Sequence, residues 1–289
     1  MTLRGIVTLL EANRPTVMTE SGTEYLCYLR GKVRRVSGRI LVGDQVELEP
    51  TEGREAIITR VLPRQLQLER PPVANLTGIF ACFSLNHPTG NLELLDKRLV
   101  LAALSGIAVE IVVTKSDMAD SVKELDEMVQ LYRSIGYRVW VVSVRTGQGV
   151  EPWLSTEREG IWVLTGESGV GKSSLLHAVL PHAVIETGGL SKIDRGQQTT
   201  RWVRLLKIRE FWLADTPGYT ALETVVTRAE DIKSKFFEWD DARCRFPNCV
   251  HRGEPGCAVQ QGLMDGTYAS SRYRSYCLMV DQWVKRWGV

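Results

Sequence analysis

Gly166-Glu167-Ser168-Gly169-Val170-Gly171-Lys172-Ser173 is a complete G-x-x-x-x-G-K-S phosphate loop. It follows the apolar run 161–164 and precedes a helix-like stretch at 173–180, the strand–loop–helix setting that such a loop requires. Its glycines let the backbone wrap around phosphates with N–H groups turned inward, and the helix N-terminus behind it adds a favourable dipole. In that arrangement Lys172 reaches the outer phosphates and Ser173 ligates Mg²⁺, with Ser174 next in line. A glycine-rich turn that binds nothing is the alternative, and the flanking elements count against it.

Outward from the loop, apolar runs at 78–85, 109–113, 138–142, 161–164 and 211–214 alternate with helix-like segments at 92–104, 121–135 and 173–180. Alternation of this kind predicts a parallel sheet with helices on its faces, over a domain spanning residues 69–223. Upstream, residues 1–68 are all-β. Strand-like runs at 5–10, 16–18, 24–29, 45–48 and 56–61 are separated by turn signals such as Ser21-Gly22, Gly43-Asp44 and Glu52-Gly53, which predicts a small OB-like barrel. Arg70-Pro71-Pro72 reads as a stiff linker between the two. Residues 224–289 lose the apolar periodicity and carry a Cys/His cluster and an aromatic-rich tail. No internal repeat is visible.

A phosphate loop alone does not separate ATP from GTP. Thr114-Lys115-Ser116-Asp117, at the end of the run 109–113, resembles the N-K-x-D element with which GTPases read guanine. A carboxylate there accepts from the ring N–H and the exocyclic amine, donors that adenine does not present at that edge, so adenine would leave Asp117 unpaired. Thr114 stands where Asn is usual. Val142-Ser143-Val144 resembles the S-A element that contacts guanine, and Asp215-Thr216-Pro217-Gly218 resembles D-x-x-G, whose Asp holds Mg²⁺ through water and whose Gly senses the γ-phosphate. Between them, Arg195-Gly196-Gln197-Gln198-Thr199-Thr200-Arg201 occupies the switch I position, though an ordinary polar loop would look similar. Base recognition thus precedes the phosphate loop, the reverse of ordinary GTPases. That order is a circular permutation, which compact domains tolerate because their termini lie at the surface.

Cys244-x4-Cys249-x-His251-x5-Cys257 supplies three thiolates and one imidazole, a closed tetrahedral set with no position left for substrate, and predicts one structural zinc per chain. Cys27, Cys82 and Cys277 are scattered and read as small hydrophobes.

The 289 residues carry 36 basic against 34 acidic side chains, a net charge of +2, so any nucleic-acid case rests on local clusters. Arg30, Lys32, Arg34, Arg35 and Arg39 form one such cluster. Arg272, Arg274, Lys285 and Arg286, interleaved with Tyr273, Tyr276, Trp283 and Trp287, form another. Each fits phosphate neutralisation and base stacking, or a solvated face with packing aromatics. Hydrophobic residues at 44% and charged residues at 24% exclude a disordered or low-complexity chain, and the longest apolar run is too short to span a membrane. With no secretory signal in view the reading is a cytoplasmic, monomeric protein without a membrane partner.

Taken with the permuted order, the zinc spacing closely resembles the RsgA/YjeQ family of circularly permuted, small-subunit-dependent GTPases, over nearly the whole chain. The resemblance implies an OB-fold RNA-binding domain (1–68), a permuted G domain (69–223) and a mainly helical zinc-binding domain (224–289). It implies hydrolysis of GTP to GDP and phosphate, binding to the small ribosomal subunit and its rRNA, and release coupled to hydrolysis in late subunit maturation. The expected GTP-binding set is Thr114, Lys115, Ser116, Asp117, Ser143, Gly166–Ser174, Thr199, Thr200, Asp215 and Gly218, with Ser173 and Asp215 on Mg²⁺. Lys172 and Gln198 are the expected catalytic groups. The family carries His where this chain has Gln198, and a glutamine can position water but not take its proton. That substitution sustains an alternative of another class, a nucleotide-gated RNA-binding assembly module in which hydrolysis is incidental.

Overall fold

Alternation of apolar and polar residues over the first sixty positions builds five strands: β1 (Leu3–Glu11), β2 (Arg14–Thr19), β3 (Glu24–Leu29), β4 (Gln45–Pro50) and β5 (Glu55–Val61). In β2, β4 and β5 buried side chains recur at every second position, as a half-buried strand requires. β1 pairs antiparallel with both β2 and β4, β2 with β3 and β4 with β5, while β3 lies parallel to β5. The circuit closes. Val7, Val17, Cys27, Val46, Leu48, Ala56 and Ile58 fill the interior of this barrel. All five expected strands are present. The computed structural model describes residues 2–11, 14–31, 33, 38–69, 72–182, 203–215 and 229–287.

β6 (Gln67–Glu69) and β7 (Pro72–Ala74) follow as an antiparallel hairpin, with Glu69 opposite Pro72. The stiff linker expected at 70–72 is therefore partly strand. Proline is tolerated there because it is the first residue of an edge strand, where no ladder hydrogen bond is lost.

Strand and helix then alternate through β8 (Leu76–Ser84), α1 (Leu92–Leu104), β9 (Ala108–Thr114), α2 (Val122–Ser134), β10 (Arg138–Val141), α3 (Val150–Ser155), β11 (Gly160–Thr165) and α4 (Lys172–Val179). Asn91 and Ser121 cap α1 and α2 by accepting from Leu94 N and Glu124 N. β12 (Arg204–Ile208) and β13 (Phe211–Asp215) form a hairpin, and α5 (Ala229–Lys233), α6 (Ala258–Met264) and α7 (Ser270–Trp287) complete the chain.

Two compact units result, and each interrupts the other in sequence. The first joins Met1–Gly78, Val150–Thr165 and Lys172–Tyr219. Within it β11 runs parallel to β13, while β12 is antiparallel to β13 and meets β1 at Leu9–Arg204. β12 departs from the wholly parallel sheet expected, because a tight turn at Arg209-Glu210 returns the chain directly beside itself. The second unit joins Ile79–Gly149, Gly166–Gly171 and Thr220–Val289. Here β9 and β10 are parallel, and Ala81, Phe83, Leu95, Leu99, Ile111, Val113, Met128 and Tyr132 make the core between sheet and helices. A further core holds Ile232, Phe236, Trp239, Val259, Tyr276 and Val280, together with Val100 of α1.

Candidate functional site

Within the second unit, β9 ends at Thr114 and the chain turns sharply. Lys115 takes φ +53°, a left-handed conformation that disfavours a side chain by about 1–2 kcal/mol. The turn aims its ammonium at two carbonyls, with Nζ donating to His87 O at 2.7 Å and Gly169 O at 2.8 Å. Thr114 makes a second tie. Its Oγ1 lies 3.1 Å from Phe83 O and 2.5 Å from Val170 O. Two adjacent residues thus grip the glycine-rich loop, Lys115 at Gly169 through its ammonium and Thr114 at Val170 through its hydroxyl.

The loop itself depends on glycine at its entrance. A Cβ on Gly166 would lie 2.6 Å from Cys82 O, a distance that only movement of the backbone could relieve. Glu167 accepts from Asn91 N at 3.3 Å, joining the loop to the N-cap of α1. Ser168 and Gly169 are exposed and Val170 is buried.

Asp117 sits in the short turn Ser116–Met118, and both of its carboxylate oxygens are engaged. Ser143 Oγ donates to Oδ1 at 2.5 Å and Arg145 Nε to Oδ2 at 2.6 Å. The Ser143 hydroxyl, followed by Arg145, holds this carboxyl below the usual carboxylate range, so it stays charged. Ser143 is itself fully buried, while Ser116 N donates to Val142 O at 3.2 Å and seats the turn against the end of β10. Met118, next to Asp117 in sequence, and Val144, next to Ser143, are exposed apolar side chains. Arg145 was not among the residues expected from sequence; its position two residues past Ser143 was the available signal.

In the first unit, Lys172 and Ser173 open α4, whose Leu175 and Val179 are buried. Ser173 O lies 2.6 Å from His177 Nδ1, and Ser174 is exposed. Asp215 ends β13, whose register with β11 places Ala214 opposite Val163. Gln198, Thr199, Thr200 and Gly218 lie outside the described residues, as do Lys32, Arg34 and Arg35.

The Cys/His cluster converges as the spacing requires. Cys244, Cys249 and Cys257 are free thiols, and their Sγ atoms and His251 Nδ1 all lie within 4.8 Å of one another. The three Sγ–Nδ1 distances are 3.4–3.5 Å, and Cys244 and Cys257 Sγ are 4.0 Å apart. A tetrahedron with metal–sulfur bonds of about 2.3 Å and a metal–nitrogen bond of about 2.0 Å has edges of roughly 3.5–3.8 Å. The four ligands fit a metal ion at that scale. Cys257 also caps α6, Ala258 N donates to Cys244 Sγ at 3.3 Å, and Glu254 accepts from Val250 N and Arg252 N to fold the loop between ligands.

Of the basic, aromatic tail, Arg272 and Tyr276 are interior, whereas the Arg274 side chain is 76% exposed. Arg272 is 1% exposed and Tyr276 fully buried, so neither is available to RNA, and Arg274 pairs with Glu93 at 3.0 Å. The side chains of Trp283, Lys285, Arg286 and Trp287 lie outside the described residues. Of the barrel cluster, Arg30 is exposed and 3.3 Å from Glu49, and Arg39 is exposed. Cys27 and Cys82 are buried as expected, and burial pushes the Cys27 thiol up to about 12. No helix among the described residues is long and apolar enough to cross a membrane.

Residues 61–225 match the model of the RsgA GTPase family. The small ribosomal subunit biogenesis GTPase RsgA of Moorella thermoacetica is 37% identical over 269 residues, covering 92% of each chain. Its namesake from Thermotoga maritima is 36% identical over 282 residues, covering 96% of this chain and 95% of that one. Among solved structures, YjeQ from Thermotoga maritima superposes with a TM-score of 0.82 at 34% identity, covering 98% of both chains. YloQ, described as a circularly permuted GTPase, gives 0.79 at 28% identity over 99% of this chain and 96% of its own.

Proposed function

Because this chain belongs to the RsgA GTPase family, we propose that it hydrolyses GTP on the small ribosomal subunit during that subunit's biogenesis and leaves on hydrolysis. The observation that carries the reading is the junction of Thr114 and Lys115 with the phosphate loop beside Asp117. One element holds a charged acceptor for guanine and grips the loop that cradles phosphate. Base identity and phosphate position are thereby linked through covalently adjacent residues.

In this scheme Asp117 accepts from the guanine ring N–H and exocyclic amine, with Ser143 orienting it. Gly166–Gly171 present backbone N–H groups to the phosphates, and Lys172 neutralises the charge that develops on the outer oxygens. The Ser173 hydroxyl, with Asp215 through water, would form a hard-oxygen set suited to Mg²⁺, which when bound would supply charge neutralisation on the phosphates. Gln198 orients the attacking water, and Thr199, Thr200 and Gly218 respond to the γ-phosphate. Cys244, Cys249, His251 and Cys257 would hold one structural zinc, since three thiolates and an imidazole would leave it no open position for catalysis. The barrel's Arg30 and Arg39 face solvent and suit an rRNA backbone, and the setting is cytoplasmic.

Turnover with and without isolated small subunits tests the proposal. Stimulation by orders of magnitude, with cosedimentation stronger in a non-hydrolysable GTP analogue than in GDP, is the expected result. Equal turnover in both conditions would leave only a nucleotide-binding module.

A further inference from the structure

Arg145 lies on the loop after β10, its side chain 73% exposed, and its Nε is 2.6 Å from Asp117 Oδ2. An arginine this exposed does not need a carboxylate, since water would satisfy it. The carboxylate is the group with something to gain: its side chain is only 9% exposed, and Oδ1 is already taken by Ser143. Guanine's recognition edge is chemically a guanidine fragment, with a ring N–H and an amino group on one carbon. Arg145 offers Asp117 the same kind of donor as that edge does.

We propose that Arg145 is a built-in competitor for the guanine base, holding Asp117 when the nucleotide site is empty and yielding it when guanine arrives. The inference rests on the reading of Asp117 as the base-recognising carboxylate. Two consequences distinguish it from a supporting role. First, the pair is absent from the guanine-bound protein, so it lowers the competent fraction and slows guanine-nucleotide association without holding on to bound nucleotide. Second, a nucleotide lacking guanine's donors leaves the Arg145–Asp117 pair intact and escapes the penalty of an unpaired carboxylate. Arg145 therefore narrows the gap between GTP and ATP, and its removal widens it.

Stopped-flow binding of ribose-labelled fluorescent GDP and ADP to wild type, Arg145→Ala, Arg145→Lys and Asp117→Asn tests this. Exposed pairs contribute little, so Arg145→Ala is expected to speed GDP association by up to about fivefold, with dissociation unchanged. Its preference for GDP over ADP rises by at least the same factor, and Arg145→Lys falls between. In the Asp117→Asn background, with labelled XDP as the probe, removing Arg145 gives no further gain. Slower association, faster dissociation or unchanged binding in Arg145→Ala overturns the proposal. Unchanged GDP affinity in Asp117→Asn instead overturns the reading of Asp117 on which it stands, whatever Arg145 does.

Discussion

Arg272 donates from Nη1 to Asp96 Oδ1 across 2.5 Å, and the two side chains are 1% and 0% exposed. They are 176 residues apart in sequence. Asp96 comes from α1 and Arg272 from α7, so the bond ties the segment carrying the Cys/His cluster to the helix that follows β8 in the same unit. Tyr132 OH donates to the same oxygen at 2.7 Å, Arg272 Nε to Glu238 at 2.7 Å, and the guanidinium sits 4.5 Å from the Phe236 ring centre. Burial opposes the charge on Arg272, and Asp96 with Glu238 overcomes it, raising the guanidinium above its usual value.

Breaking such a pair from one side leaves a buried charge without its partner. Arg272→Ala or Asp96→Ala is expected to cost about 3–5 kcal/mol in urea unfolding. Asp96→Ala combined with Arg272→Ala should cost less than the sum of the two single changes, by about 0.5–3 kcal/mol of coupling. Strictly additive losses would show that the pair fastens nothing.

Asp117→Asn should weaken GTP and favour xanthosine triphosphate, because the amide presents a donor where xanthine presents a carbonyl. Competition binding of the two nucleotides checks it, and unchanged GTP affinity would remove Asp117 from the site.

Ser143 supplies the foremost cause of Asp117's lowered pKa, so pH offers a separate test. A carboxyl depressed in the folded state adds stability above its unfolded value of about 3.9, and that stability is lost as pH falls through the folded value. Guanine affinity should follow the same charged form and persist below pH 4 in wild type. In Ser143→Ala its acid limb should move to higher pH. A limb at the same pH in both proteins would detach Ser143 from the carboxylate.

What the sequence displayed and what it hid separate along physical lines. The barrel strands, α1 and the convergence of the Cys/His cluster were legible because alternation, the 3.6-residue period and close sequence spacing are local. β12 was missed because its apolar run, Leu205-Leu206 and Ile208, is short and only its hairpin partner makes it a strand. Arg272 read as a surface charge because nothing local announces a buried carboxylate on a distant helix. Thr114, standing where Asn is usual, gave no sign in sequence of its hydroxyl bond to Val170 O, and Arg145 showed nothing of its hold on Asp117 beyond its place two residues past Ser143.

Chelation, or Cys249→Ser, should unfold the segment beyond residue 229. Structural zinc in small modules contributes on the order of 10 kcal/mol, far more than the surrounding core can replace. The change should register in near-UV circular dichroism through Trp239, which is 5% exposed, stacks on Phe236 and meets the His251 ring edge-on. Val100 and Leu104 of α1 pack against this core, so thermal stability should fall while guanine nucleotide binding persists. Less than about one Zn²⁺ per purified chain, or an unchanged spectrum after chelation, would count against a structural zinc.

The last expectation concerns hydrolysis as a release signal. Thr199 and Thr200 lie upstream of β12 in sequence, and Gly218 follows β13 ahead of the segment that carries the Cys/His cluster. A γ-phosphate engaged by both would order the chain leading into that segment, and its loss would free it. For this to work, GTP and GDP forms must differ in affinity for the small subunit by about 1–3 kcal/mol or more, and by linkage the subunit must favour GTP by the same factor. Gln198 separates binding from release. If it orients the attacking water, Gln198→Ala should keep GTP-state affinity for the subunit, slow stimulated turnover at least tenfold, and leave the protein cosedimenting with subunits in GTP. Wild-type turnover in that variant would move the water-positioning role to another residue, and equal subunit affinity in the GDP and GTP-analogue states would dissolve the coupling itself.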